Sequence, residues 1–464
     1  MRYVSTRGQA PELDFEGVML AGLARDGGLY VPAAWPRFTP MQMAALAGLP
    51  YEEAAFRVML PFIGDAFAPE DFRAMIERAY AGFGHAARAP LVQIGDNDWV
   101  LELHHGPTLA FKDFAMQLIG QMFEHALGRR GERVTIVGAT SGDTGSAAIE
   151  AFRGLDAVDV FILYPHGRVS EVQRRQMTTP QEGNVHALAV EGDFDDCQAL
   201  VKAMFNDFEF RDGVRLAAVN SINWARVLAQ AVYYFTSAVA LGAPYRGISY
   251  SVPTGNFGDV YAGWVASNMG LPIEKLVVAT NRNDILHRTI QSGAHTRAEV
   301  EPTITPSMDI QVSSNFERLL FDLMDRNGEA TAELMRQLRE EGGFRLTNAA
   351  LARLREEFDS GVSAEEDTSA VIAAMREVTG QVLDPHTAVG VKAASDARGE
   401  AATPMVVLGT AHAAKFPDAV QAACGVYPEL PPRLADLYQR PERITRVAND
   451  LGAVQRVVYE RGRA

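Results

Sequence analysis

One local pattern recurs three times and restricts the fold more than any other feature. A short apolar strand runs into a turn of small residues, and the turn runs directly into a helix. The three copies are VTIVGATSGDTGSAAIEAF from Val134, ISYSVPTGNFGDVYAGWVA from Ile248 and PMVVLGTAHAAKFPDAV from Pro404. Strands that feed helices in this way pair in parallel, with helices covering both sheet faces. In such open sheets the turns at the carboxyl ends of the strands line the ligand crevice. The turns Thr140 to Gly145, Thr254 to Asp259 and Gly409 to Lys415 therefore mark the expected site. They share a pattern and not a repeated sequence.

The rest of the chain fits around these anchors. Strands at Val134 to Val137, Phe161 to Tyr164, Val185 to Val190 and Leu216 to Val219 alternate with helices, among them Phe194 to Phe208, capped by Asp193, and Trp224 to Leu241. A second run follows with strands Ile248 to Val252, Leu276 to Thr280 and Pro404 to Gly409. Between about Glu301 and Glu377 the alternation stops, and charged helical segments take over. The expected division is a mostly helical region over 1–96, an α/β lobe over 97–245, and a second α/β lobe over 246–464 with a helical insertion at about 301–377. The first region carries a short strand in GGLYVP and no recognisable chemistry.

Composition narrows the function classes. With 464 residues, 47% hydrophobic, there is material for two or three domains. A net charge of -15 argues against nucleic acid and anionic membranes as partners. It leaves anionic small molecules open, because a basic pocket can sit inside an acidic protein. Cys197 and Cys424 are the only cysteines, so neither a disulfide framework nor a cysteine metal cluster is expected. His104, His105 and His412 read as pocket or surface histidines, without metal-ligand spacing, so no metal is expected. The N-terminal MRYVSTRGQAPELDF has no apolar leader and no run is long enough to span a bilayer, which makes the cytoplasm the expected compartment.

The chemistry concentrates in LELHHGPTLAFKDF, Leu101 to Phe114. Lys112 opens an amphipathic helix between Phe111 and Phe114, with Leu118, Ile119 and Met122 continuing the buried face. An ammonium there meets the positive end of the helix dipole and partial desolvation, and both favour the neutral amine. Such an amine suits Schiff-base chemistry with an aldehyde. Read locally, a first-turn lysine snorkelling to water past two core aromatics is the commoner outcome, because lysine is usually exposed. Gly255-Asn256-Phe257-Gly258-Asp259 can converge backbone N–H groups on a phosphate at a helix start. It is neither a Walker loop nor a dinucleotide fingerprint, and a bare strand-to-helix turn would read the same. Ser141, Gly142, Asp143 and Thr144 form a hydroxyl-rich turn that could grip a carboxylate or phosphate, or simply cap the next helix. Taken together, an aldehyde-ready amine, a phosphate cradle and a hydroxyl-rich anion loop describe a pyridoxal phosphate site.

HGPTLAFKDF, ATSGDTGSAA, SVPTGNFGD and GTAHAAKFPDAV together resemble the threonine synthases of the longer form, and the likeness runs from GGLYVP to TAHAAKF. The resemblance implies the fold-type II pyridoxal phosphate architecture, related to the tryptophan synthase β subunit, with the cofactor between two three-layer α/β lobes. It implies Lys112 as the Schiff-base lysine and Gly255, Asn256, Phe257, Gly258 and Asp259 as the loop holding the cofactor phosphate. Thr410 matches the residue that hydrogen-bonds the pyridine nitrogen. Ser141 to Thr144 match the loop holding the amino acid's carboxylate, with Asp143 standing where some relatives carry asparagine against the ring hydroxyl. The implied reaction converts O-phospho-L-homoserine and water to L-threonine and phosphate, by a monomer or homodimer. A serine or threonine dehydratase of the same fold is the alternative. For the substrate's phosphate, Thr108 and Ser141 are favoured over His104, Arg174, Arg175 and Lys415.

Overall fold

The apolar strands settle the architecture. In the computed structural model, which describes residues 1–463, Val158–Pro165 and Val185–Val190 are buried at every position. A parallel strand covered by helices on both faces must be. They form the centre of a five-stranded sheet in the order Thr445–Val447, Val185–Val190, Val158–Pro165, Val134–Ala139, Leu216–Ala217, with every pairing parallel. A six-stranded sheet builds the other lobe in the order Phe358–Val362, Ile273–Thr280, Ile248–Pro253, Met405–Gly409, Asp98–Glu102, Leu91–Gln93. All its pairings are parallel except the last. Two α/β lobes with parallel-rich sheets are thus present.

Between the lobes run two long buried helices, Lys112–Arg130 and Trp224–Ala240. The second packs on the first, on Gly258–Asn268 and on Tyr51–Ile63 of the N-terminal region. That region is wedged into the body by aromatic contacts. Tyr51 meets Phe114 at 5.3 Å between ring centroids, Trp224 meets Tyr3 at 5.8 Å, and the Tyr80 hydroxyl donates to the Phe114 carbonyl at 3.0 Å. Tilted aromatic pairs at these separations add to the area they bury. The N-terminal residues therefore buttress the helix that carries Lys112.

Three features depart from the local reading of the chain. The strand Asp98–Glu102 falls among residues assigned to the first lobe, yet it pairs with Met405–Gly409 in the other sheet. The tail, among residues assigned to the second lobe, returns to the first lobe through Thr445–Val447 before its helix Leu451–Arg461. Phe358–Val362 lies inside the expected helical insertion but adds an edge strand beside Ile273–Thr280. Its sequence FDSGV carries an aspartate, a serine and a glycine, which a partly exposed edge tolerates and which hide the strand from a hydrophobic pattern.

Candidate active site

Lys112 owes its position to the turn before it. Gly106 to Thr108 fold back so that the Thr108 amide donates to Asp113 Oδ2 at 2.8 Å and its hydroxyl to Oδ1 at 2.6 Å. Leu109 then takes a left-handed backbone with φ of 64°, a conformation a branched residue adopts only when its surroundings enforce it. The enforcement is visible: the Leu109 carbonyl accepts from the His412 amide at 3.0 Å and the Phe111 amide donates to the Thr410 carbonyl at 2.9 Å. The third small-residue turn is thereby stitched to the start of the Lys112 helix. The Lys112 side chain is 11% exposed, so it does not snorkel to water. Burial pushes its amine down to about 8, against the attraction of Asp143, whose Oδ2 lies 3.8 Å from Nζ; Arg226 and Lys415 add to the depression.

The hydroxyl-rich turn is folded by Thr140, whose Oγ1 accepts from the amides of Gly142 and Gly145, both at 2.9 Å. Gly142 has φ of 139°, and a side chain there would overlap Gln173. This brings Asp143 to the first position of the helix Asp143–Phe152. Lys415 Nζ lies 2.8 Å from Asp143 Oδ1 and Gln173 Nε2 donates to the same oxygen at 2.9 Å. Oδ2, the oxygen nearer Lys112, accepts from the Ser307 hydroxyl at 3.4 Å. Burial alone would raise the Asp143 carboxyl, but Lys415 and Lys112 overcome it and hold the group ionised, well below the usual carboxylate range. The hydroxyls of Ser141 and Thr144 make no hydrogen bond among the described residues.

In the glycine loop, Phe257 is left-handed with φ of 64°, its ring held against Phe316 and Phe358 at 5.2 and 5.8 Å. A Cβ on Gly255 would stand 2.6 Å from the Ser307 carbonyl, so only glycine fits. The Gly255 carbonyl accepts from Ser313, and the Asn256 carbonyl accepts from the Asn315 amide and side chain, each at 3.0 Å. With their carbonyls so fixed, the amides of Gly255, Asn256 and Phe257 donate to nothing among the described residues. They stand at the start of the Gly258–Asn268 helix, where dipole and free N–H groups favour an anion. Ser307 touches both this loop and Asp143, and so ties the two turns together.

Several sequence expectations are revised by these contacts. Thr108 gives its hydroxyl proton to Asp113, which removes it as a donor to a substrate anion. The Asp259 carboxylate accepts from the hydroxyls of Tyr233 at 2.5 Å and Tyr234 at 3.2 Å, so only its backbone is left for the phosphate loop. Burial raises this carboxyl to about 7 against those two hydrogen bonds. Lys415, fully buried, is committed to Asp143 and the Thr108 carbonyl, and Arg174 and Arg175 are paired with Glu442 and Glu171. None of the three is a free cation for a substrate phosphate. His104, His105 and His412 line a cavity of about 190 Å³ beside Gly409 and Ala411. Within it Glu102, His104 and His105 bring ligand atoms within 4.8 Å of one another, a grouping hidden from spacing rules; His105 Nε2 already bonds Glu102 Oε2 at 2.7 Å. Gln173, Ser307 and Ser313 had no signal in the sequence, because each acts through a contact made only by tertiary packing.

The residues fit pyridoxal 5'-phosphate: a buried amine with depressed basicity, amides at a helix start that donate to nothing among the described residues, and Thr410, whose carbonyl accepts from the Phe111 amide just before the lysine. Two α/β lobes around such a lysine define a fold-type II pyridoxal phosphate enzyme. Family models agree over nearly the whole chain. Residues 85–345 match the pyridoxal-phosphate dependent enzyme model, 2–80 the threonine synthase N terminus and 387–458 the threonine synthase C-terminal model. The threonine synthase of Pseudomonas aeruginosa is 57% identical over 100% of this chain and 99% of its own length. The crystal structure of PLP-bound threonine synthase from Brucella melitensis superposes with a TM-score of 0.98 at 56% identity, covering 100% of both chains. That of the yeast enzyme gives 0.94 at 40%, covering 99% of this chain and 98% of its own. The chain belongs to the threonine synthase family, and the dehydratase alternative is set aside.

Proposed function

We propose that the chain converts O-phospho-L-homoserine and water to L-threonine and phosphate, with Lys112 as the lysine that binds the cofactor aldehyde and moves protons at the substrate. The observation that supports this reading is one amine, pushed down to about 8, lying 3.8 Å from Asp143 of the hydroxyl-rich turn, which Ser307 joins to the glycine loop. When bound, pyridoxal 5'-phosphate supplies the conjugated ring that accepts charge from the substrate's Cα. Lys112 is then suited to take the Cα proton and to return one, because an amine near 8 exchanges protons readily at neutral pH. Asp143, kept ionised by Lys415, holds the Lys112 amine in place and offers an anionic acceptor beside it. Thr410 offers a neutral hydroxyl to the ring nitrogen. Gly255, Asn256, Phe257, Gly258 and Asp259 offer backbone amides to the cofactor phosphate. Ser141, Gly142 and Thr144 offer two free hydroxyls and a turn of backbone to the substrate's carboxylate.

Among the described residues no helix is long and apolar enough to cross a membrane. Both cysteines are unpaired, which is consistent with a reducing, cytoplasmic setting. The test is product identification. Threonine and phosphate in equal amounts from O-phospho-L-homoserine, with none from Lys112→Ala, are expected. A 2-oxo acid from serine or threonine, with phosphohomoserine untouched, would overturn the reading.

A further inference from the structure

The strand Asp98–Glu102 delivers Glu102 to the wall of the cavity of about 190 Å³, and the two residues after Leu103 are both histidines. None of Lys112, Asp143, Ser307 and Thr410 lines that cavity, so its chemistry is separate from theirs. The backbone here is held from several sides. The Leu103 amide donates to the Gly409 carbonyl at 2.9 Å, and the His105 carbonyl accepts from the Gly84 amide at 2.8 Å. Arg433 Nη2 donates to the carbonyls of His105 and Gly106 at 3.1 and 2.8 Å. Side chains on so constrained a segment have less freedom to lose when they grip a ligand.

The donors are of the kind a transition metal takes. One atom from each of Glu102, His104 and His105 lies within 4.8 Å of the other two. His105 Nε2 and Glu102 Oε2 are 2.7 Å apart. Two donors that each sit ~2.0–2.1 Å from one zinc ion come about as close. A hydrogen bond closes that gap without an ion, and binding would release its proton. His104 Nδ1 is cut off from water and has no hydrogen-bond partner among the described residues. A purely structural bond between His105 and Glu102 accounts for two of the three residues and leaves that nitrogen unmatched. The His104 ring lies 4.9 Å from that of His105 and 5.2 Å from that of His412. His412 is not a fourth ligand: its Nδ1 accepts from the Ala414 amide at 3.1 Å, so the neutral ring carries its proton on Nε2. Asp384, also on the cavity wall, is committed to its own helix start and to His386.

We propose that Glu102, His104 and His105 bind a divalent transition metal ion of the zinc class, with water completing its coordination in the cavity. Two imidazoles and one carboxylate suit zinc, cobalt and nickel, whereas magnesium and calcium take oxygen ligands. The ion clamps the end of the Asp98–Glu102 strand to the residues just before the Gly106 to Thr108 turn. That turn holds Asp113, and with it the start of the Lys112 helix. The site thus braces the lysine from outside the reacting cleft, and it requires no step of the proposed reaction.

The experiment titrates untagged holoprotein, stripped of metal by a chelator, with zinc chloride and separately with magnesium chloride in a calorimeter. One zinc ion per chain is expected, with proton release, and magnesium binding at least tenfold more weakly. Glu102→Gln and His104→Ala should each weaken zinc tenfold or more, while His166→Ala, at an exposed histidine outside the cavity, leaves it unchanged. Zinc should raise the melting temperature of wild type and not that of His104→Ala. Cobalt in place of zinc should give a visible absorption band that His104→Ala abolishes. His104→Ala removes no hydrogen bond to Nδ1, so it decides the matter where Glu102→Gln melts early in chelator. The absence of saturable zinc binding, equal affinity for magnesium, or wild-type zinc affinity in His104→Ala overturns the proposal. Because none of these readouts needs turnover, they stand even where the proposed reaction fails.

Discussion

Lys112 and Asp143 show how two ionisable residues adjust each other. Burial makes the Lys112 amine easier to deprotonate, and Asp143 limits that effect. Only the neutral amine attacks an aldehyde, so uptake of pyridoxal 5'-phosphate by apoprotein should speed up as pH rises through about 8 and level off above it. An unshifted lysine would keep the rate climbing towards 10.4, its usual value; stopped-flow absorbance between pH 6 and 10 distinguishes the two. Asp143 in turn depends on Lys415, an ion pair without access to water. Breaking a buried pair by removing one partner costs about 3–5 kcal/mol, because the other charge is left behind. Lys415→Met should therefore lower apoprotein stability by about that much, and Asp143→Asn in the same background should recover part of the loss. Additive losses in urea denaturation would show the pair to be uncoupled. Sequence made Lys112 and Asp143 visible as residues beside small-residue turns, but it offered Lys415 as a phosphate ligand. Its neutralising partner lies in a distant turn, and no local pattern encodes that pairing.

At the scale of elements, the three strand–turn–helix units were legible because their signals are local: an apolar run, a small-residue turn and a helical period. What the turns do with their acidic residues was not. Asp259 looked like part of an anion loop, yet a carboxylate facing a phosphate would repel it. The fold resolves this by turning Asp259 onto Tyr233 and Tyr234 of the neighbouring helix, where burial raises it to about 7. The sign of the consequence follows from proton linkage. The folded chain holds this proton up to about pH 7, while the unfolded chain releases it near 3.9, so stability from this group falls as pH rises through that window. Asp259→Asn removes the dependence. Moving from pH 5 to pH 8, the variant should gain on the order of 2 kcal/mol relative to wild type in chemical denaturation. A constant gap between the two proteins would place the Asp259 titration elsewhere.

Across the whole molecule, neither lobe is a contiguous stretch of chain. Asp98–Glu102 leaves the first half to join the six-stranded sheet, and Thr445–Val447 returns from the second half to the five-stranded one. These exchanges escaped the sequence reading because strand order is decided by long-range packing, which hydrophobic periodicity does not record. They also bind the active site to parts of the chain that carry no chemistry. The last helix buries Val454 and Val458 with Val447 against Phe161, Leu163, Cys197 and Phe210 on one face of the five-stranded sheet. Arg463 pairs with buried Asp159 at 2.6 Å, and Glu442 holds Arg174. At about 1.5–3 kcal/mol for each buried valine, three of them contribute roughly 5 kcal/mol. That is comparable to the whole net stability of an ordinary domain, about 5–15 kcal/mol. A chain ending at Arg440 keeps Lys112 and all three turns, yet it uncovers this face and strands Asp159 in the core. It should lose cooperative thermal unfolding, and it should fail to retain pyridoxal 5'-phosphate after gel filtration. If such a chain kept the cofactor's absorbance and melted within a few degrees of the full protein, the first lobe would be stable on its own. The crossing strands would then serve only to orient one lobe against the other.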